Sequence, residues 1–475
     1  MASAAKNTAF MTVASIGQKV ISFAYFTLIA RMIGAQGTGQ YFFALSFTTV
    51  FVVFIDLGFT QVLIRELSKH KQKAQEILST ILGVKFILAI LTYIAVVIAI
   101  NLMGYQLQVR HMVYLSGLTM LFDSFHLTLY GVVRAKGDLK YEAFGIIGSQ
   151  LLTLALGSYF LYTKKPVVFL ILAFTIPSAI NAFYAMFILK IKYALSLRPK
   201  YDKKILYPLA KITVPFALAG IFARVYSYID SILLSKLTND VAVGLYSIPY
   251  KITYAFQFVP LALVAVLYPK FSEYFLHNKN KLARTFEQSI IYLSLIVFPI
   301  VFGISTLASD IIIDIYSIEY AGSIIPLKIL LVGLVFSYLS FPIGAFLNAT
   351  SRQSIQTTIV GVVMVINIIS NILLIPRYSI IGASIAALIG NVVLMVTGYF
   401  VVNSVTKIRH LFLLKKIVQI VVSAWVMSYV VTIVNVQLHY IMAIFAGFLT
   451  YVIAIFVTRA ITTKQVKELI CLFKK

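Results

Sequence analysis

The chain lacks most of what a soluble enzyme or a disulfide-bonded domain would need. Cys471 is the single cysteine among 475 residues, which excludes an internal disulfide and any metal site built from cysteine pairs. Charged residues make up only 12% of the chain, with 15 Asp and Glu against 40 Lys and Arg. So few charged groups could not cover a surface that faces water on every side.

Apolar residues are what the chain has in excess: they make up 61% of it, and the mean hydropathy is +0.96. Apolar runs of about twenty residues recur from end to end, each long enough to cross a bilayer core of roughly 30 Å as a helix. The runs do not alternate between apolar and polar residues, as the strands of a membrane barrel do. A single Lys6 precedes the first run, so we expect no cleavable signal peptide. The sequence therefore predicts an all-α polytopic membrane protein.

About fourteen transmembrane helices are predicted. They cover approximately residues 10–30, 40–60, 78–102, 111–133, 142–162, 167–190, 209–235, 243–267, 287–306, 323–347, 355–375, 380–402, 412–433 and 438–459. With the N-terminus inside, most of the 40 Lys and Arg residues fall in inner segments, as the positive-inside rule requires. Both termini are thus expected in the cytoplasm. The net charge of +25 then reflects topology and anionic lipid headgroups, not a nucleic-acid partner.

The second half of the chain repeats the first at a shift of 205 residues. Three matches are harder to ascribe to chance than the apolar ones: Gly39 with Gly244, Tyr41 with Tyr246, and the mid-helix cation Lys19 with Arg224. An even number of helices per half gives both halves the same orientation, which is a parallel repeat. We predict an N-terminal lobe over residues 1–192 (helices 1–6), a basic cytoplasmic connector over 193–208, a C-terminal lobe over 209–405 (helices 7–12), and helices 13 and 14 with a basic tail over 406–475.

Three stretches carry a resemblance to a known family. They are "ARMIGAQGTGQYFFA" and "DLGFTQVLIRELSK" in the first half and "YIDSILLSKLTNDVAVGLYSIPYKI" in the second. Together they resemble a Wzx-type polysaccharide flippase, of the multidrug/oligosaccharidyl-lipid/polysaccharide exporter superfamily.

The resemblance implies two six-helix lobes around a central cavity. It also implies alternating access that moves a glycan on a polyprenyl phosphate or diphosphate from the inner to the outer leaflet of the plasma membrane. Glycan polymerases and glycosyltransferases of the same pathway are the implied partners, and helices 13 and 14 could form a groove for the lipid tail. No bond is broken in such transport, so we expect no catalytic residues, metal or cofactor.

Four intramembrane cations are candidates for holding the phosphate head. Lys19 and Arg224 lie near the middle of their helices, where a charge is costly unless it faces a cavity or a partner. Either could instead be a structural cation paired with a carboxylate or a helix carbonyl. Lys85 and Lys251 lie nearer their helix ends, so they either contact the substrate or snorkel to the interface.

Acidic and histidine side chains at membrane depth are candidates for ion or proton coupling. Asp123, His126, Tyr130 and Arg134 follow one another at helical spacing along one face of helix 4. Since histidine titrates near neutral pH, Asp123 and His126 could relay protons, or the face could be a polar seam between helices. Asp230 is a further candidate, which we expect to pair across helices with a cation.

Tyrosines in helices 7 and 8 are candidates for stacking on sugar: Tyr226, Tyr228, Tyr250 and Tyr254. The alternative is that they pack between helices or lie at an interface.

Two other functions compete with the flippase. A drug or cation antiporter of the same superfamily would place carboxylates, not cations, in its cavity. A membrane glycosyltransferase or ligase would need a large extramembrane loop, and the longest predicted loop is the short basic connector. No Walker motif is present, which disfavours an ATP-driven pump.

Overall fold

The computed structural model describes residues 2–437 and 439–461, without the side chains of residues 2–9, 71, 210–212 and 214–216. Within these ranges the chain forms helices joined by short connections and contains no strand, which confirms the all-α prediction. The α-helices are α1 (Ala2–Asp56), α2 (Phe59–Lys69), α3 (Ala74–Leu102), α4 (Leu107–Lys136), α5 (Lys140–Tyr162), α6 (Val168–Tyr193), α7 (Lys203–Leu237), α8 (Asp240–Ala255), α9 (Phe258–His277), α10 (Lys279–Thr306), α11 (Ala308–Tyr316), α12 (Ile324–Ala349), α13 (Gln353–Val405), α14 (His410–Gln437) and α15 (Tyr440–Val457).

Eleven helical segments of the described chain are long and apolar enough to cross a membrane. Two of them, Phe10–Asp56 with 47 residues and Gln353–Val405 with 53, are far longer than one crossing needs. These segments contain the backbone kinks at Gly34 and Ser379. Dividing them there, and adding the more polar α4, gives the predicted fourteen segments.

The gap predicted between helices 10–30 and 40–60, which contains "GAQGTGQY", is a kink and not a loop. Gly34 has φ 69° and ψ −179°, and the helix resumes at the next residue. That positive φ lies in the region that glycine adopts without strain. A single residue therefore redirects the chain, and the predicted gap between helices 1 and 2 is wrong.

Two predicted helices, over 40–60 and 243–267, are each interrupted. Leu57 and Gly58 both have positive φ, 42° and 84°, and separate α1 from α2. The second break lies between α8 and α9, where the hydroxyl of Tyr338 donates to the carbonyl of Phe256 at 2.6 Å. These breaks fall in predicted helices 2 and 8, the second helix of each repeat.

The repeat has a reciprocal close contact between α1 and α8. A Cβ added at Gly39 would lie 1.8 Å from the carbonyl oxygen of Asp240, and one added at Gly244 would lie 1.9 Å from that of Ala35. Each glycine is 205 residues from the other, and so are the two carbonyls. The backbones of α1 and α8 therefore come so close together that each helix needs a glycine at the contact, Gly39 in α1 and Gly244 in α8.

The chain divides into two compact units, residues 1–247 and 248–475. The first contains α1 to α7 and the first half of α8, with α7 packed against α1. Its buried core includes Leu63, Leu78, Val132, Leu189 and Leu195. These two units are defined by which residues pack together, whereas the predicted lobes were defined by the 205-residue sequence repeat.

The predicted connector is docked on α3. The amide of Lys200 donates to the carbonyl of Ser79 at 3.0 Å. The side-chain amide of Gln75 both donates to and accepts from the backbone of Ser196, at 2.7 Å in each direction. Gly83 allows this close approach, because a Cβ there would lie 2.4 Å from the Lys200 carbonyl oxygen.

In the second unit, α14 and α15 are tied to α10. The buried carboxylate of Glu287 accepts from the Nε of Arg409 at 3.0 Å and from its backbone amide at 2.9 Å. The hydroxyl of Tyr451 donates to the Leu295 carbonyl at 2.8 Å. The C-terminal helix pair is therefore held by polar contacts as well as by packing.

Candidate functional site

A cavity of about 650 Å³ lies inside the first unit, bordered by α1, α2 and α4 to α7. That volume falls in the range of small-molecule sites. Of its 24 lining residues, 15 have polar or charged side chains. The polar lining residues are Gln18, Thr48, Thr49, Asp56, Gln61, Ser116, Thr119, Asp123, Ser124, His126, Ser149, Gln150, Ser178, Asn181 and Arg224.

The break between α1 and α2 opens onto this cavity, which Asp56, Gly58 and Gln61 line. Behind Asp56 lies Lys85, whose side chain is fully buried. Its Nζ donates to the Asp56 carboxylate at 2.7 Å, to the Thr128 hydroxyl at 2.5 Å and to the Ser124 carbonyl at 3.0 Å. Lys85 therefore does not snorkel: the partly buried carboxylate of Asp56 and two further acceptors satisfy all three of its donors.

The polar face of α4 divides into two parts. Asp123 and His126 line the cavity, and the Ser178 hydroxyl donates to Asp123 at 2.6 Å. The Nδ1 of His126 lies 3.6 Å from the Asp123 carboxylate, which is too long for a hydrogen bond. Within the described residues that nitrogen is buried and has no hydrogen-bond partner. This part of the face is open to a ligand or to water.

The other part of the α4 face is a packed seam. Tyr130 donates to the side-chain oxygen of Asn181 on α6 at 2.6 Å. The Nε of Arg134 donates to the buried carboxylate of Glu142 on α5 at 2.8 Å. These two residues hold α4 against its neighbours.

Arg224 contributes the single Lys or Arg side chain among the described cavity-lining residues. It lies on α7, and its side chain is exposed. One turn earlier, Gly220 brings α7 close to α1, since a Cβ there would lie 3.0 Å from the Val53 side chain. Lys19 follows the cavity-lining Gln18 on α1 and is half-buried.

The remaining predicted residues lie outside this cavity lining. Asp230 is buried on α7 and accepts from the Tyr246 hydroxyl at 3.0 Å. Tyr226 and Tyr228 are half-buried on the same helix.

Tyr250, Lys251 and Tyr254 belong to the second unit. The two tyrosine rings are parallel there, with centroids 5.9 Å apart.

Sequence reasoning missed the small polar residues of the cavity. Ser116 and Thr119 precede Asp123 by seven and four residues, so they extend its face of α4 by two turns. The Ser116 and Thr48 hydroxyls lie 2.7 Å apart and join α4 to α1. A search for Ser, Thr, Asn and Gln at helical spacing within apolar runs would have found them.

The fold and this cavity define a class: a multi-pass helical membrane protein with an internal polar site, as a transporter requires. The model of the family described as "Polysaccharide biosynthesis protein" matches residues 4–275, more than half of the chain. The chain belongs to that family.

Similar proteins fit this assignment. The chain is 23% identical over 399 residues to "Capsular polysaccharide biosynthesis protein CapF" of Staphylococcus aureus, covering 83% of this chain and 98% of CapF. It is 22% identical over 408 residues to "Probable low-salt glycan biosynthesis flippase Agl15" of Haloferax volcanii, covering 86% and 83% of the two chains. The solved "Lipid II flippase MurJ, inward closed conformation" shares its fold, with a TM-score of 0.78, 17% identity and coverage of 94% and 98%.

Proposed function

We propose that this protein is a flippase that moves a lipid-linked oligosaccharide or polysaccharide repeat unit from the inner to the outer leaflet by alternating access. Its family is one of polysaccharide biosynthesis, and its relative Agl15 is named as a probable glycan flippase. The proposal includes a place in the plasma membrane, cytoplasmic termini, and pathway enzymes that deliver and use the glycan. It describes a transporter and not an enzyme.

The observation that carries the proposal is Arg224 at the wall of a polar cavity. A guanidinium at membrane depth is costly in lipid, and it matches the oxygens of a phosphate with a planar pair of donors. We assign the phosphate head of the substrate to Arg224, with its repeat counterpart Lys19 as the second cation.

The other predicted residues take supporting parts in the proposal. Lys85 acts through Asp56, which it holds at the cavity wall. Asp123, His126 and Asp230 are the groups we propose for ion or proton coupling.

The aromatic candidates are retained as sugar contacts. Tyr226 and Tyr228 would contribute from α7. Lys251, Tyr250 and Tyr254 are proposed to contact the substrate within the second unit.

One observation favours the antiporter as a second candidate, because two carboxylates, Asp56 and Asp123, also line the cavity. The ion pair with Lys85 compensates the charge of Asp56, however, at a distance of 2.7 Å. Asp123 and Arg224 then balance each other, which suits a substrate with a polar body and an anionic head better than a cation.

Transport in vesicles tests the proposal. The purified protein is reconstituted with undecaprenyl diphosphate N-acetylglucosamine that carries a fluorophore, and dithionite bleaches the label in the outer leaflet. We expect wild-type vesicles to lose nearly all fluorescence and Arg224→Ala vesicles to lose about half. Arg224→Lys should keep part of the transport activity if the positive charge matters more than the planar pair of guanidinium donors.

The matched control is Arg65→Ala, which removes an exposed arginine of the first unit that lies outside the cavity lining. It should transport as the wild type does. Normal transport by Arg224→Ala would refute the phosphate assignment, and export of cationic dyes without glycan transport would favour the antiporter.

A further inference from the structure

We infer that a groove on the outside of the first unit, between α5 and α6, binds an anionic phospholipid of the surrounding bilayer. One acyl chain lies along the groove, and the phosphate lies at a group of lysines where the groove ends. This lipid is a bound component of the membrane and not the transported cargo, so the inference goes beyond the proposed function.

The groove is apolar, open to the outside of the molecule and about 240 Å³ in volume. Two of its lining side chains, Phe144 and Ile180, are 65% and 51% exposed. Both lie on helices that are long and apolar enough to cross a membrane, so their exposed faces meet lipid. Gly148 also lines the groove, and a Cβ there would meet nothing within 4 Å. The groove therefore has room for an acyl chain from the bilayer.

Both walls of the groove continue to a lysine at the same end. Residues four apart form a continuous ridge on a helix. On α5 this ridge consists of Leu152, Gly148, Phe144 and Lys140. On α6 it consists of Ile180, Tyr184, Ile188 and Lys192. The α5 ridge rises by about 18 Å, close to half of a bilayer core of roughly 30 Å. This length matches an acyl chain within one leaflet.

Tyrosine rings position the lysine ammonium groups at that end. The Nζ of Lys192 lies 4.2 Å from the ring centroid of Tyr141, and the Nζ of Lys140 lies 5.1 Å from the same centroid. The Nζ of Lys136, at the end of α4, lies 5.6 Å from the ring centroid of Tyr193. Contacts of this length are attractive cation–π interactions. Three lysines from three helices are thus held close together.

Acidic residues compensate only part of this positive charge. The segments 134–142 and 190–193 contain five basic and two acidic residues, which leaves a net charge of +3. Asp138 accepts from Lys192 at 2.7 Å, and the buried Glu142 is paired with Arg134. In the orientation proposed above this end faces the cytoplasm, where anionic headgroups attract basic residues. The charge of the lysine group therefore complements a phospholipid phosphate.

A bulk phospholipid suits the groove better than the carrier lipid of the substrate, although both combine a phosphate with an apolar chain. A substrate with its phosphate at Arg224 would have to pass its tail between α5 and α6 to reach the groove. These helices are in close contact there, because a Cβ at Gly145 would lie 2.5 Å from the side-chain oxygen of Asn181. Phospholipid is also the more abundant of the two in a membrane, which favours its binding by mass action.

Two variants test the two parts of the site. Lys140→Gln removes an exposed cation, and its matched control is Lys165→Gln, just beyond the other end of α5. Gly148→Leu fills the groove without meeting other protein atoms at its Cβ. Its matched control is Leu151→Phe, which enlarges an exposed side chain of α5 outside the groove lining.

The measurement is binding of the first lipid to the detergent-solubilised full chain, by native mass spectrometry with phosphatidylglycerol and with phosphatidylcholine of the same acyl chains. We expect the wild type to prefer phosphatidylglycerol by more than about tenfold. Lys140→Gln should weaken phosphatidylglycerol binding by about fivefold, the value of one lysine near an anionic headgroup. Gly148→Leu should abolish the preference, and both controls should keep it.

Equal affinity of the wild type for the two phospholipids would overturn the inference. So would a preference that Gly148→Leu retains, or a loss in Lys140→Gln that Lys165→Gln matches. Displacement of phosphatidylglycerol by an equal concentration of undecaprenyl phosphate would assign the groove to the carrier lipid instead. Each of these results leaves the flippase proposal standing, because that proposal depends on glycan transport.

Discussion

Replacing Gly39 by alanine should separate α1 from α8. The new Cβ would lie 1.8 Å from the Asp240 carbonyl oxygen, whereas real Cβ atoms are essentially never closer than 3.0 Å to such a neighbour. The obstacle is backbone, so no side chain can rotate away, and one helix must move by more than about 1 Å. Overpacking of this kind costs about 1–3 kcal/mol.

Helix propensity acts in the opposite direction. Alanine is favoured over glycine inside a helix by about 1 kcal/mol, so the net loss of stability for Gly39→Ala should be roughly 0–2 kcal/mol. Gly148→Ala is the matched control, because a Cβ at Gly148 would meet nothing within 4 Å. That variant should be as stable as the wild type or more so.

Because the contact is reciprocal, it also predicts the effect of alanine at Gly244 and of the double variant. Gly244→Ala should cost about as much as Gly39→Ala, since its Cβ would lie 1.9 Å from the Ala35 carbonyl oxygen across the same contact. One helix displacement relieves both clashes, so the double variant should cost less than the sum of the single ones.

The assay is thermal unfolding in detergent, followed by circular dichroism. If Gly39→Ala unfolds at the same temperature as Gly148→Ala, the helices are not in close contact there. Additive losses in the double variant would show that the two contacts are independent, and the reasoning from the repeat would be wrong.

Three further predictions concern ion pairs. Lys85→Ala should lower stability by about 3–5 kcal/mol in chemical unfolding, because it leaves Asp56 without its buried partner, and Lys85→Met with Asp56→Asn should recover much of that loss. Glu287→Gln should weaken the attachment of α14 to α10, by about 1–3 kcal/mol, and increase proteolysis near Arg409. Hydrogen bonds from Lys192 and then Tyr193 hold the pKa of Asp138 below its usual value. The stabilisation from Asp138 is therefore present above the unfolded pKa of about 3.9 and is lost as the pH falls through the folded pKa, so Asp138→Asn should differ from the wild type at pH 7 and converge with it in acid.

The helices were predictable from the sequence because apolar length decides them, but their breaks were not. Hydropathy continues through Leu57 and Gly58 without a signal strong enough to end a helix. The predicted helix bounds left residues 31–39 as a loop, and the structure shows that one positive φ, at Gly34, replaces this loop. Such backbone conformations depend on what packs around them, which a single sequence does not contain.

The surroundings of the intramembrane cations were likewise not predictable from the sequence. The sequence made both Lys85 and Arg224 candidates for the phosphate head and distinguished them only by their depth in the helix. The structure separates them by their surroundings: Lys85 points at the carboxylate of Asp56 and is sealed from the cavity, whereas Arg224 lines it. Asp56 is 29 residues from Lys85 on another helix, so no local pattern joins them.

This difference bears on how a membrane protein can hold an anion at all. A buried cation with a carboxylate at 2.7 Å is already neutralised, and an incoming phosphate would have to displace that partner. A cation at the wall of a polar cavity needs no such exchange, because water can occupy the site until the ligand arrives. In this chain Lys85 holds Asp56 in place at the cavity wall, whereas Arg224 is itself part of the wall. It follows that Lys85→Ala should affect folding before transport, and Arg224→Ala should affect transport without affecting folding.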